Sequence, residues 1–429
     1  MGRSFGLDVH RDFCEVAIGE DGEVRSGGRI ETRPEALLAF AQSLAPDDEV
    51  VMEATGSSMA IARMLEPYCR RVVVANPSDV RAISYSRVKS DRFDARTLAR
   101  LVAADLITPV WVPDEATLAL RRRIARRAAL IRQLVRAKNE VHAVVMRCLL
   151  GRPPASDLFG RKGRAWLAEQ ALPVAEAETV SSGLRQIDFL TGEIAALDRA
   201  IAQVAVDSPE IRRLLTIPGV DIGTAAAVLA AIGDVHRFPS ARHLVAYLGL
   251  DPTSRQSGNE PARGGRISKR GNPQARCALV EAAWTTIRSP GPLRAFGERV
   301  RAKRGANKAA VAVARKLAVL CWHLLTKEQD YALQRPTLTR QKIRRLQLTA
   351  GAETLPTRHD GPRITPTPAL REAEKELQRQ GELAYRRMIA DWQATVPKRV
   401  GASATPGRAS QRPSKGNAAR RADAPKTRT

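Results

Sequence analysis

The chain has 429 residues, with 70 Lys and Arg against 45 Asp and Glu, so its formal charge is +25 and a polyanionic partner is expected. Hydrophobic residues at 44% suit a folded chain of two or three domains, and an aromatic content of 4% argues against strand recognition mainly by base stacking. Five scattered cysteines with no C-x-x-C pair, no run near ~20 apolar residues and no apolar signal core exclude disulfide-scaffold, cysteine-zinc, membrane and secreted classes, leaving a cytoplasmic nucleic-acid protein.

The first elements read as strands. Ser4–Val9 carries an acid near its end, Phe13–Gly19 alternates apolar and polar residues, and Glu20-Asp21-Gly22 supplies a hairpin turn into Glu23–Ile30. Helical spacing follows in Pro34–Leu44 and Ser58–Tyr68. Between them the short apolar run Glu49–Met52 leads into Glu53, and Arg71–Ala75 is a further strand stopped by Asn76-Pro77. An antiparallel opening followed by alternating strands and helices predicts a mixed α/β sheet domain over residues 1–110. From Glu115 to about Leu150 the chain lacks Gly and Pro, and Ala175–Val206 is similar apart from Gly183 and Gly192. Residues 111–210 are therefore expected to form two long helices, either a packed pair or a coiled-coil arm for dimerisation. A mainly helical domain is expected over 211–330. Residues 331–429 read as a basic, largely disordered tail in which 366–392 form at most one isolated helix.

Four acids stand at chemically suggestive places. Asp8 lies at the end of one strand in GLDVH, and Glu53 closes another in VVMEATG. The segment Lys89-Ser90-Asp91-Arg92-Phe93-Asp94-Ala95-Arg96 opens a helix, where residues three apart lie ~60° from one another, so Asp91 and Asp94 share a face. Carboxylates so arranged suit two Mg²⁺ ions ~3.5–4 Å apart, one sharpening a nucleophile and one stabilising the leaving oxygen of a phosphodiester. Singly each has a structural explanation: a turn cap for Asp8, helix-start amides for Asp91, an arginine partner for Asp94. Together they point to metal, because acids on a DNA-binding surface repel the ligand unless cations neutralise them. His10, just after Asp8, reads as a satisfied surface histidine more readily than as a contact to the metal site.

Further on, Ile217-Pro218-Gly219-Val220-Asp221-Ile222-Gly223 precedes the apolar helix Thr224–Ile232, and backbone amides around Gly219 and Gly223 suit a phosphate. Residues 254–272, with Arg255, Arg263, Arg266, Ser268, Lys269 and Arg270, read as a basic loop. A cluster before the next helix, with Arg301, Lys303, Arg304 and Lys308, reads as a contact to a phosphate backbone.

GLDVH, EATG and KSDRFDAR resemble the three acidic motifs of the DEDD transposases of the insertion-sequence 110 family, whose N-terminal domain resembles the RuvC Holliday-junction resolvase and its ribonuclease H-like mixed sheet. PGVDIG, YLGLDP, the Ser257-Gly258 turn and RISKRG resemble the hairpin, Y-L-G-L-x-P, S-G and R-x-S-K-x-G motifs of the same family's second domain. The resemblance runs from residue 4 to about residue 325. It implies that Asp8, Glu53, Asp91 and Asp94 hold Mg²⁺ and that Ser257 is a covalent nucleophile, leaving a phosphoserine–DNA bond that conserves energy for religation. From the residues alone, Ser254 and Ser268 compete with Ser257. The resemblance further implies double-stranded DNA as substrate, a non-coding guide RNA, a homo-oligomer (dimer or tetramer) whose two sites meet across subunits, and a place on the bacterial nucleoid when active. Two other readings are open to the same residues: a junction resolvase using metal-activated water, and a non-catalytic nucleic-acid scaffold.

Overall fold

The computed structural model describes residues 2–83, 90–256, 258, 263–352 and 367–395. Strands β1 (Ser4–Val9), β2 (Phe13–Glu20) and β3 (Glu23–Glu31) form an antiparallel meander. Helix α1 (Pro34–Gln42) then carries the chain to β4 (Glu49–Glu53), and α2 (Ser58–Leu65) to β5 (Arg71–Ala75). Both later strands run parallel to β1 and its neighbour, giving the mixed order β3-β2-β1-β4-β5.

The period-two alternation of each strand sorts its side chains between two faces. Phe5, Leu7, Val50, Met52 and Val74 pack with Leu37 of α1 and with Ile61 and Leu65 of α2. After α3 (Pro77–Ile83), helix α4 (Asp91–Ala103) covers the other face, setting Leu98, Leu101 and Val102 on Val51 and Val73, and Ala95 and Ala99 on Ala17. Gly6 makes this approach possible, since a Cβ there would lie 2.0 Å from the Ala95 carbonyl oxygen.

Helices α5 (Glu115–Arg147) and α7 (Val174–Ala205) run antiparallel, with α6 (Arg161–Ala168) near the turn between them. Arg147 pairs with Glu176, Arg164 with Asp188 and Arg127 with Asp198. Of the two forms expected for 111–210, the chain thus contains an intramolecular pair. Its outer half has its own core of Val141, Val144, Leu158, Leu167 and Ile187. Its inner half is rooted elsewhere: Leu120, Ile124, Ile201, Ala202 and Ala205 belong to the core of the C-terminal unit.

That unit contains α8 (Pro209–Leu215), α9 (Ile222–Ile232), α10 (Ala241–Tyr247), the hairpin β6 (Pro252–Arg255) with β7 (Arg263–Ile267), α11 (Pro273–Arg288), α12 (Pro292–Arg304) and α13 (Ala306–Thr326). Helix α13 is long and apolar enough by composition to cross a membrane, yet half of its most apolar stretch is buried here, where Val313, Leu317 and Cys321 meet the shared core. The segment read from sequence as a basic loop is in part a strand, because Arg263–Ile267 is held by pairing with Pro252–Arg255.

The expectation for the tail fails in two stretches. Helix α14 (Pro336–Ala350) buries Leu346 in the C-terminal core, and α15 (Pro368–Thr395) is docked rather than isolated. Glu374 accepts from the Thr337 amide (2.9 Å) and hydroxyl (2.5 Å), and Glu382 accepts from the Gly291 amide (3.0 Å) and Arg294 Nε (2.9 Å). Positions 396–429 lie outside the described residues.

The connector between the sheet and the helices is fixed at both ends. The Val110 amide donates to the Val74 carbonyl at 2.7 Å. Next to it, the Arg237 guanidinium lies 4.3 Å from the Trp111 ring, 4.1 Å from Phe238 and 4.3 Å from Tyr247. Arg121, also over Trp111, donates to the carbonyls of Ala230 (2.7 Å) and Ala231 (2.9 Å), tying α5 to the end of α9.

Candidate metal centre and nucleic-acid interface

Asp8 and Glu53 come side by side because β1 and β4 are parallel with Leu7 opposite Met52. Asp8 also faces Glu15 across the antiparallel β1–β2 ladder. Two residues before Glu53, Asp8 and two after Glu15 stand Val51, Gly6 and Ala17, all beneath α4, so the three carboxylates form a row on the face that α4 covers. The first turn of α4 supplies Asp91 and Asp94. Ser90 is the N-cap, its Oγ accepting from the Phe93 amide at 3.3 Å, so Asp91 is not needed for that task.

His10 joins this group, as in the less favoured of its two sequence readings. Its Nε2 lies 3.1 Å from Asp8 Oδ2 and 3.4 Å from Asp91 Oδ1, and one ligand atom from each of the three residues falls within 4.8 Å of the others. A lone histidine two residues beyond an acid carries no motif, which is why sequence alone favours the surface reading over contact with the metal site. Burial pushes the Asp8 carboxyl above its ordinary pKa; His10 opposes this, while the charges of Asp94 and Asp91 add to it. Half-buried carboxylates that repel one another offer hard oxygen donors to a divalent cation, and the donor set fits one. Asp8, Glu53, Asp91 and Asp94 are each partly buried and partly open to solvent.

The second group of expected residues is more dispersed. Ser257 lies outside the described residues, in the connection between β6 and β7. Ser254 pairs with Gly264 in the ladder, and Arg255 with Arg263. The Ser268 hydroxyl donates to Asp251 Oδ1 at 2.5 Å, closing the turn after β7. Arg266, Lys269, Arg304 and Lys308 come together along a groove of about 930 Å³ between the hairpin and α12–α13, whose floor includes Leu250, Ile267, Phe296 and Val311. Arg242, Arg315 and Lys316, not singled out from the sequence, add three more cations to its lining. Arg270 and Arg301 are exposed outside that lining, and Lys303 lines a neighbouring recess with Arg299 and Trp392.

The expected phosphate hairpin connects α8 to α9. Gly219 has φ +89°, and a Cβ there would sit 2.3 Å from Thr286 Oγ1, whose hydroxyl donates to the Pro218 carbonyl at 2.9 Å. Glycine at 219 is therefore required for packing on α11. Asp221 caps α9 by accepting from the Thr224 amide at 2.7 Å, placing Gly223 in the first turn. From α14, Lys342 Nζ donates to the carbonyls of Leu215 (2.7 Å) and Ile217 (2.8 Å), and burial brings its pKa down to about 8.

Comparison with known proteins fits both halves. Residues 5–149 match a DEDD transposase domain, and residues 211–298 match the family described as transposase IS116/IS110/IS902. The chain is 30% identical over 353 residues to the transposase for insertion sequence element IS1111A of Coxiella burnetii, covering 76% of this chain and 90% of the relative. It is 27% identical over 331 residues to the transposase for insertion sequence element IS1328 of Yersinia enterocolitica, covering 75% and 96%. It is 26% identical over 295 residues to the pilin gene-inverting protein of Moraxella bovis, covering 66% and 81%.

Proposed function

The chain belongs to the IS116/IS110/IS902 transposase family, and on that premise we propose that it cuts and rejoins double-stranded DNA through a covalent serine–DNA intermediate formed at a metal centre of Asp8, Glu53, Asp91 and Asp94. Membership makes it a DNA transposase or recombinase and implies the use of a divalent metal. The observation that carries the finer reading is the convergence of acids from β1 and α4, with Asp94 and Asp91 both raising the pKa of Asp8. The mixed order β3-β2-β1-β4-β5 supports a RuvC-like, ribonuclease H-like reading of residues 1–110.

Two Mg²⁺ ions, when bound, would supply Lewis acidity at the scissile phosphate. The chain's own residues do the rest. His10 holds Asp8 and Asp91 in mutual register. Ser257 Oγ gives up its proton and attacks phosphorus, the Oγ–P bond forms, and the bond from phosphorus to the leaving sugar oxygen breaks; that oxygen takes up a proton in exchange for the one the serine released, so the step is proton-neutral. Reversal with a new sugar hydroxyl rejoins the strand and frees the serine. Arg266, Lys269, Arg304 and Lys308 track the backbone of DNA, or of a guide RNA paired with it, joined by Arg255, Arg263, Arg270, Arg301, Lys303 and Ser268 around the same hairpin and helix. The amides at Gly219 and Gly223 add a phosphate contact at the start of α9. The α5–α7 pair serves assembly of a dimer or tetramer in which one subunit's serine reaches another's acids.

Changing Ser257 to Ala is expected to reduce strand exchange to background and to eliminate a gel-stable protein–DNA adduct, while nucleic-acid binding persists. Full recombination by this variant overturns the covalent step, and cleavage without any adduct points to water as nucleophile.

A further inference from the structure

We propose that Glu15, Arg29 and Arg92 form an arginine clamp beside the acidic centre, gripping the phosphate backbone of the nucleic-acid strand that enters it. Glu15 faces Asp8 across the ladder, with its side chain only 2% exposed. Its Oε2 accepts from Arg29 Nε at 2.8 Å and its Oε1 from Arg92 Nε at 3.2 Å. A buried carboxylate needs one guanidinium for neutrality. Here it holds two, leaving a surplus of one positive charge next to a centre of four acids.

The two arginines are held without being hidden: their side chains are 59% and 71% exposed. Each meets Glu15 through Nε, so its outer Nη1–Nη2 edge, the two-donor fork that matches phosphate oxygens, stays outside that contact. Arg29 is further restrained by the Phe13 ring at 4.3 Å, and that ring lies 5.0 Å from His10, which touches Asp8 and Asp91. Arg92 follows Asp91 directly in α4. The contacts therefore close a circuit from the acids through His10, Phe13 and Arg29 to Glu15, Arg92 and back. It presents two pre-ordered forks to solvent at the rim of the metal centre.

The clamp rests on the metal-centre reading, because a phosphate strand approaches four carboxylates only when cations neutralise them. Affinity of the full chain for a fluorescein-labelled 40-base-pair duplex, measured with and without Ca²⁺ over a salt series, tests it. Ca²⁺ is expected to tighten binding by the native chain. Changing Arg29 and Arg92 together to Ala removes that gain and lowers the slope of log affinity against log salt by about 2, at roughly one per phosphate contact. Arg92→Lys restores part of the gain, and melting temperatures of the single variants stay near native. Asp8→Ala abolishes the gain through the metal itself. If Asp8→Ala loses the gain while the double arginine variant keeps it, the clamp falls and the metal centre stands. A gain retained in Asp8→Ala, or missing from the native chain, overturns both.

Discussion

Asp8 sits half-buried, with Asp94 and Asp91 adding negative potential and His10 opposing them. Removing its charge relieves that repulsion, so Asp8→Asn is expected to melt higher than the native chain in chelator. Mg²⁺ should raise the native melting temperature, as any ligand bound only by the folded state does, and leave Asp8→Asn unmoved. Equal Mg²⁺ shifts in the two proteins would count against Asp8 as a ligand. The positions of Asp8, Glu53, Asp91 and Asp94 were legible because short-range pattern fixes them: a strand's end or a helix's first turn can be read from neighbouring residues. His10 was legible only as one of two readings, and Glu15 was not legible, since their roles arise from what lies opposite. Glu15 reads as one more polar residue in an alternating strand until β1 places it against Asp8 and α4 delivers Arg92.

Helix α15 shows a different limit at the scale of elements. Its docking on α12 and α14 rests on polar pairs: Glu374 with Thr337, Glu382 with Gly291 and Arg294, and Arg386 with Glu298. Such pairs leave no apolar periodicity, so the sequence of residues 366–392 reads as an isolated helix with no surface to dock on. Burial alone would raise the Glu382 pKa, but the Gly291 amide with Arg386 and Arg294 outweighs it and holds the carboxyl below its ordinary range. An acid whose docked pKa is lowered stabilises docking fully above its free pKa, and that contribution is lost as pH falls through the docked value. Protease cleavage within α15 is thus expected to accelerate on acidification. Glu382→Gln, which leaves Arg294 and Arg386 with Glu298 as their remaining acid, costs about 2 kcal/mol and produces the same cleavage near neutral pH. Unchanged cleavage of that variant would show that the ion pairs do not hold the helix.

At the scale of the whole molecule, the expected boundary near residue 210 is not a boundary of packing. Leu120 and Ile124 of α5 and Ile201 of α7 lie in the same core as α9, α11 and α13. Three such side chains contribute roughly 6 kcal/mol at about 2 each, comparable to the whole stability of a domain. A fragment beginning at 211 is expected to lack a cooperative thermal transition, whereas one beginning at 111 should show it; cooperative unfolding of the shorter piece would refute the shared core. The sheet unit was readable almost residue by residue because its elements are local and strongly patterned. The shared core was not, because part of it comes from helices whose sequence announces only length. The rooted arm has a mechanical consequence. At 1.5 Å per residue, α5 is a lever of about 50 Å, so a tilt of about 5° at its base sweeps the tip through about 4 Å. The Trp111–Arg237 stack and the Arg127–Asp198 pair brace the pivot, so small losses of stiffness there would be amplified into misalignment at whatever the far end grasps.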